Sequence, residues 1–596
     1  MQTKKPHQNV ATRMLLFLIV AFALNSCKKD LQQDKPVDLP TQKTELPAAK
    51  INPFSYSNIL KAKQTLATKN DQSSLSRTNQ NDADRLYTYL KFDPAKVTGE
   101  ILKQLEADTT IKILDFPFAN GEIYNDEFAL DETKAKQLAD GSLYAVVKKN
   151  TTTETLLKSR VLNSVQLDEL FLPEEIDTTL QFQALLEAGY TQEQLNALRI
   201  CLFKRPQGFV RYTDQETGQL RGVGGMQVWG LVFGIPLHTY TNGSGHYNFP
   251  WRFSLGTIMG THAKNLRINI KPFNTQGGWI ATLPLQFIVG SVHIHGWVGS
   301  CAMRNEVNFH FTEHRQNRYW AQLMDGVNLH DQYSSNDNIE NAPSFLTMYA
   351  HWADRYGGAS TPLLGHLQYG PLLVEGIING LFDGNINLAN DLPNIFNLLT
   401  GLLPDITIRV GNDERRRYSS RLMQTLFHEL AHASYYRQVG QQHYLELVQA
   451  ELYNGLFSGC GPYNCDNAGE QEYISVSESW AEYLGTIHAR RLHPNGFKTS
   501  TFFGGFVDYS AALEQETFFE NRNIPTGIFN DLNDVTNTAF EPWDRTGGLR
   551  IEQMYRAFEP NVTTMCNYQQ QINTRFPNLN ANDIFEIFWR HEAGCL

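Results

Sequence analysis

The sequence predicts a multidomain α+β protein on three observations: a length of 596 residues, a texture that changes along the chain, and long helical periodicities towards its C-terminal end. With 41% hydrophobic and 12% aromatic residues it holds more apolar side chain than one core needs, and a chain of this length divides into about two to four domains. In order, residues 1–26 read as an export signal and 27–82 as a flexible tether. Residues 83–215 read as an accessory α+β region, 216–310 as a β-sandwich, and 311–596 as a mainly helical domain.

At the N-terminus, Lys4, Lys5 and Arg13 flank the apolar run 14–24, which is too short to span a bilayer and suits the core of an export signal. Leu24-Asn25-Ser26-Cys27 resembles a bacterial lipobox. That resemblance implies cleavage before Cys27, lipidation of that cysteine, and attachment to a membrane by acyl chains with no transmembrane segment retained. Lys28-Lys29-Asp30 resembles the export signals of some surface lipoproteins, which implies an outer-membrane protein facing outward. The stretch that follows is polar, carries Pro36, Pro40, Pro47 and Pro53, and has little periodicity, as a tether would.

A formal charge of −11 without a long basic patch excludes nucleic acid as a partner. Of seven cysteines, those other than Cys27 are Cys201, Cys301, Cys460, Cys465, Cys566 and Cys595, an even number in an exported chain. Cys460 with Cys465, and Cys566 with Cys595, are the expected disulfides. None of the six has the paired spacing of a thiolate zinc site.

In the accessory region, residues 97–105 have helical and 142–148 have strand texture. From Gly218 onward apolar and polar residues alternate, as at Gly224, Met226, Val228 and Trp229, and residues 239–249 read as strand, turn and strand. This span weakly resembles the carboxypeptidase-regulatory-like β-sandwich, which implies a spacer or folding support. His293 and His295 share one strand face but have no adjacent acid, so they read as structural. His310-Phe311-Thr312-Glu313-His314 spells the inverted zinc pattern, which works only on a helix. Val307, Phe309 and Phe311 alternate with polar residues, so this segment reads as a strand and the pair as structural.

Beyond 315 the pattern turns helical, with 319–324, 344–354 and 372–381 as candidates, followed by a strand at 405–410. Then comes His428-Glu429-Leu430-Ala431-His432. Residues four apart on a helix lie one above the other, so His428 and His432 can aim two imidazoles at one ion while Glu429 faces the water on it. A helix is expected because Leu422, Met423, Leu426, Phe427, Leu430 and Ala431 form an apolar stripe, Ser420 offers an N-cap, and Arg437 and Gly440 mark the end.

A catalytic zinc takes a third protein ligand. The extended pattern that supplies a third histidine needs glycine at 435 and histidine at 438, where this chain has Tyr435 and Gln438. Ser477-Glu478-Ser479-Trp480-Ala481-Glu482-Tyr483 instead resembles the carboxylate segment of gluzincin peptidases. The resemblance covers residues 419–491 and implies one Zn2+ held by His428, His432 and Glu478, with Glu482 holding a zinc-bound histidine from behind. It also implies a zincin-like catalytic domain over 311–596, with a protein or peptide as substrate. Glu429 would be the general base on a water whose pKa the ion lowers from about 15.7 toward about 7.

An edge strand, 405–410 or an earlier one, would pair with the extended substrate. Tyr473, Tyr483, His488 and Tyr555 are candidates to stabilise the oxyanion. Three alternatives stay open. Ser475 to Glu478 also spells a capping box, in which the glutamate merely returns to a helix start. The chain could be a non-enzymatic surface lipoprotein, an adhesin or glycan-binding module, with a structural or absent metal site. It could also be a zinc hydrolase of non-peptide amides, which shares the attack chemistry.

Overall fold

A computed structural model of the chain describes residues 51–595, apart from short gaps and the longer stretches 69–85, 121–131, 273–290, 368–404, 412–418, 458–467, 509–523 and 535–546. The export signal, Cys27, Cys460, Cys465 and the expected helix at 372–381 lie outside the described residues. The chain is mixed α+β, with several sheets and many helices.

The first sheet contains β1 (Leu86–Phe92), β2 (Lys112–Leu114), β3 (Leu143–Lys148) and β4 (Val165–Phe171) in the antiparallel order β2-β3-β1-β4. Period-2 alternation divides β3 between two cores. Tyr144 and Val146 join the main core, whereas Leu143, Ala145 and Val147 join a small one with Leu90, Phe92 and Leu157. Residues 51–68, expected within the tether, instead fold onto this region. They form α1 (Tyr56–Thr68), packed against α2 (Thr178–Glu187). The prolines that precede it mask a short helical stripe, Ile59, Ala62 and Leu66, whose side chains are all buried.

The span expected as a β-sandwich contributes strands to three sheets. β7 (Gln227–Val232), β8 (Ile235–Tyr240), β10 (Thr257–His262) and β12 (Val292–Val298) form one antiparallel sheet, in the order β12-β10-β7-β8. A second contains β5 (Gln207–Thr213), β6 (Leu220–Gly222), β9 (His246–Asn248) and β13 (Phe309–Phe311). β11 (Ile268–Pro272) leaves for a third sheet with β14 (Leu346–Ala353), β15 (Gly358–Ser360) and β16 (Ile406–Gly411), in the order β11-β14-β16-β15.

His310 lies on strand β13, as its alternation predicts, while Glu313 and His314 lie outside the described residues. His293 and His295 stand on β12 with their rings against Phe311 and Phe309, which is packing.

The expected helix at 344–354 is strand β14. It lies between two parallel neighbours, and a central parallel strand covered on both faces loses its period-2 signal. The strand expected at 405–410 is present as β16, but it is flanked on both sides; among the described residues the edges are β11 and β15, the latter antiparallel to β16.

Against this sheet lie α3 (Gln316–Asn336) and α4 (Ser419–Val439), and α5 (Gln441–Phe457) and α6 (Ala468–Leu492) pack on α4. The helix with the paired histidines, α4, is more central than its stripe predicts, since Gln424, Glu429, Ala433, Ser434 and Tyr435 are buried with the apolar positions. Gly440, at φ +85°, ends α4 and allows the turn into α5. The C-terminal helices close the fold, and Cys566 is bonded to Cys595 as expected. The main apolar core runs from Phe54 to Phe588. No helix among the described residues is long and apolar enough to cross a membrane.

Candidate metal centre

α4 and α6 lie antiparallel. Gln424 Nε2 donates to Glu482 at 3.0 Å, and four residues further along α4 Glu482 Oε2 meets His428 Nδ1 at 3.0 Å. Another turn on, His432 Nδ1 meets Ser477 Oγ at 2.9 Å. The close approach depends on Gly485. A Cβ there would stand 2.8 Å from the His428 nitrogen and 3.1 Å from the Gln424 carbonyl oxygen, so only a residue without one lets the two backbones meet.

This packing brings His428, His432 and Glu478 together, with their ligand atoms all within 4.8 Å of one another. His428 Nε2 lies 3.2 Å from His432 Nε2 and 3.2 Å from Glu478 Oε2, and His432 Nε2 lies 3.5 Å from Glu478 Oε1. Donors at zinc bond lengths in a tetrahedron stand about 3.3 Å apart, close to the spacing of the two imidazoles and of each imidazole from the nearer Glu478 oxygen. The tautomers also suit. Each imidazole has a partner at Nδ1, Glu482 for His428 and Ser477 for His432, so with Nδ1–H as the donor both Nε2 lone pairs are left for the ion. The donor set therefore fits zinc.

Burial alone would raise the Glu478 carboxyl, but the adjacent His432 and His428 hold it well below the usual carboxylate range. Burial opposes charge on His428, yet its hydrogen bonds to Glu478 and Glu482 raise its pKa well above the ordinary value. The Glu429 carboxyl is raised by burial, against the pull of His428, His432 and a hydrogen bond from Thr361. That bond runs from Thr361 Oγ1 to Glu429 Oε2 at 2.7 Å, and the same hydroxyl lies 3.0 Å from the Glu429 carbonyl oxygen.

The capping-box alternative for Glu478 does not hold, because α6 begins at Ala468 and Ser475 lies two turns inside it. The four oxyanion candidates are directed elsewhere. Tyr473 donates to Glu446, His488 pairs with Asp337, Tyr555 donates to the Ser434 carbonyl, and Tyr483 is buried against Trp480 and Phe529.

Sequence reasoning missed Thr361, Ser477 and Glu451. Thr361 carries no motif. Ser477 lies within the 477–483 segment, but its role depends on the antiparallel register. Glu451 left a readable signal, an acid continuing the buried stripe of Tyr444, Leu447 and Val448 on α5. Its carboxyl is pushed up to about 8 by burial and by the negative charges of Glu478 and Glu429. Comparison with family models, characterised proteins and solved structures finds no match for this chain, so the reading of the site rests on its own geometry.

Proposed function

We propose that the protein is a zinc-dependent peptidase of gluzincin type with a zincin-like catalytic half, exported as a lipoprotein and anchored to the outer membrane through Cys27. The observation that carries this reading is the donor triangle His428, His432 and Glu478, at separations of 3.2, 3.2 and 3.5 Å, with Glu429 on the same helix. Among the described residues no fourth histidine, cysteine or acid joins the group, which favours an open catalytic position over a closed structural site.

His428, His432 and Glu478 would hold the zinc, which would supply Lewis acidity to a water and to the scissile carbonyl. Glu429 takes the proton from the attacking water and delivers it to the leaving amine. Thr361 holds Oε2 of that carboxylate, which fixes its orientation. Glu482 and Ser477 keep the two imidazoles turned with Nε2 inward.

An extended peptide as substrate is supported by the edge strand β15. Gly358, Ala359 and Ser360 pair only with β16 among the described residues, and they lead directly into Thr361. A peptide backbone added along that free edge runs beside the helix that carries the base.

The test is Glu429→Gln. Turnover of a casein or peptide library should fall roughly 10²-fold to 10⁴-fold while one zinc per chain is retained. Equal cleavage by variant and wild type would remove Glu429 as the base, and a wild type that holds no zinc would remove the hydrolase assignment.

A further inference from the structure

β5 ends in a tight turn at 214–218, where Gly218 has φ +69° and its N–H donates to the Asp214 carbonyl at 2.8 Å. The turn reaches the first residues of α4, 204 and 205 positions later in the chain. Ser419 Oγ donates to Asp214 Oδ1 at 2.8 Å, and Ser420 N–H donates to Glu216 Oε2 at 2.9 Å. Gln215 N–H donates back to Ser419 Oγ at 3.2 Å. Asp214 Oδ1 is itself held by the N–H groups of Glu216 and Thr217, at 3.0 and 3.1 Å. From the other side, His493 Nε2, just past the end of α6, lies 3.8 Å from Asp214 Oδ2.

Because α4 and α6 are antiparallel, the start of one and the end of the other lie side by side, and this turn sits on both. Asp214, Ser419 and His493 are all buried. The first turn of a helix has N–H groups with no partner inside the helix and a partial positive charge, so two carboxylates from a distant strand are favourable partners there. The alignment of α4 along α6 is also what sets Glu478 against His428 and His432.

We propose that the 214–218 turn is a positioning clamp for the metal-binding helix pair, with Asp214 and Glu216 as positioning residues that fix the start of α4 against the end of α6. This rests on the zinc-peptidase reading and gives the β-rich region a role in it: setting the ligand geometry from outside the cleft.

The test compares wild type with Asp214→Ala/Glu216→Ala, with Glu216→Gln, and with Cys566→Ser/Cys595→Ser, which loses stability far from the turn. The double alanine variant should bind zinc roughly 10-fold more weakly in chelator competition. It should also shift the visible spectrum of the cobalt-substituted protein and lower kcat more than it raises KM. Glu216→Gln, which keeps an acceptor at the helix start, should recover most of the affinity, and the cysteine variant should keep both affinity and spectrum.

Wild-type zinc affinity and cobalt spectrum in the double alanine variant, with only the melting temperature lowered, would overturn the clamp. So would an equal loss of affinity in the cysteine variant. If wild type binds no zinc, the peptidase reading fails separately. The clamp is then decided by amide hydrogen exchange over 419–423, which the double variant should accelerate about 10-fold or more, and unchanged exchange refutes it.

Discussion

Thr361 shows how one side chain can hold the proposed base without any motif to announce it. Its hydroxyl holds Glu429 Oε2 at 2.7 Å, and the Tyr444 hydroxyl in turn donates to the Thr361 carbonyl at 2.6 Å. A hydrogen bond to a charged group contributes about 1.5–3 kcal/mol, and about 1.4 kcal/mol is tenfold in rate. Thr361→Val, which keeps the shape and removes the hydroxyl, should therefore lower kcat roughly 10-fold with KM little changed, and Thr361→Ser should restore it. Steady-state kinetics on one peptide decide this; a valine variant with full kcat would leave the hydroxyl without a role. At this scale the sequence was readable where spacing carries the chemistry, as in His428, Glu429 and His432. It was silent where a partner comes from 68 residues away, as Thr361 does.

Helix against helix, the contact surfaces decide more than the motifs. Gly485 sits where α4 and α6 touch, and Gly485→Ala would press a methyl group against the His428 backbone at 2.8 Å. Backbone cannot rotate aside as a side chain does, so the helices must part. The expected cost is about 1–3 kcal/mol of stability together with weaker zinc binding, read by thermal denaturation with and without the metal. An unchanged melting point and metal affinity would mean that the helices accommodate the methyl freely.

Behind α4, His330 of α3 and His488 of α6 pack edge to face at 5.3 Å, and both are fully buried. Burial lowers both pKa values; at His330 the neighbouring His488 and Arg267 add to this, whereas at His488 the Asp337 carboxylate opposes it. With folded values below the unfolded one of about 6.5, the unfolded chain takes up more protons as the pH falls. The stability these two residues supply is thus full above about pH 6.5 and is lost as the pH falls through their folded values. Urea midpoints should drop between pH 7.5 and 5.5, and His330→Phe should drop less; parallel slopes in the two proteins would refute this.

Over the whole molecule, the core from Phe54 to Phe588 makes regions that look separable by composition into one packed body. Strand β11 leaves the β-rich span to pair with β14, and the 214–218 turn reaches α4. The Cys566–Cys595 bridge fastens the C-terminal end to the helix at Met565–Arg575 across 29 residues. A loop of that size stabilises by roughly 3–4 kcal/mol through the unfolded chain. Cys566→Ser/Cys595→Ser should therefore unfold at lower urea with a somewhat steeper dependence on denaturant, and an unchanged midpoint would show that the bridge constrains nothing.

What the sequence determined by itself is local: the α+β class, the helix at α4 with its paired imidazoles, the strand at β16, and the texture of β13 that removes the inverted zinc pattern. Each follows from periodicity, which a chain expresses without reference to its distant parts. Tertiary structure alone decided that 344–354 is a strand, that β15 and not β16 is an edge, and that residues 51–68 belong to the fold. It also decided that Thr361, Ser477, Asp214 and Glu216 meet α4. The physical reason is the same in each case: a buried parallel strand and a hydrogen bond between remote residues leave no periodic trace, because their partners are chosen by packing and not by spacing.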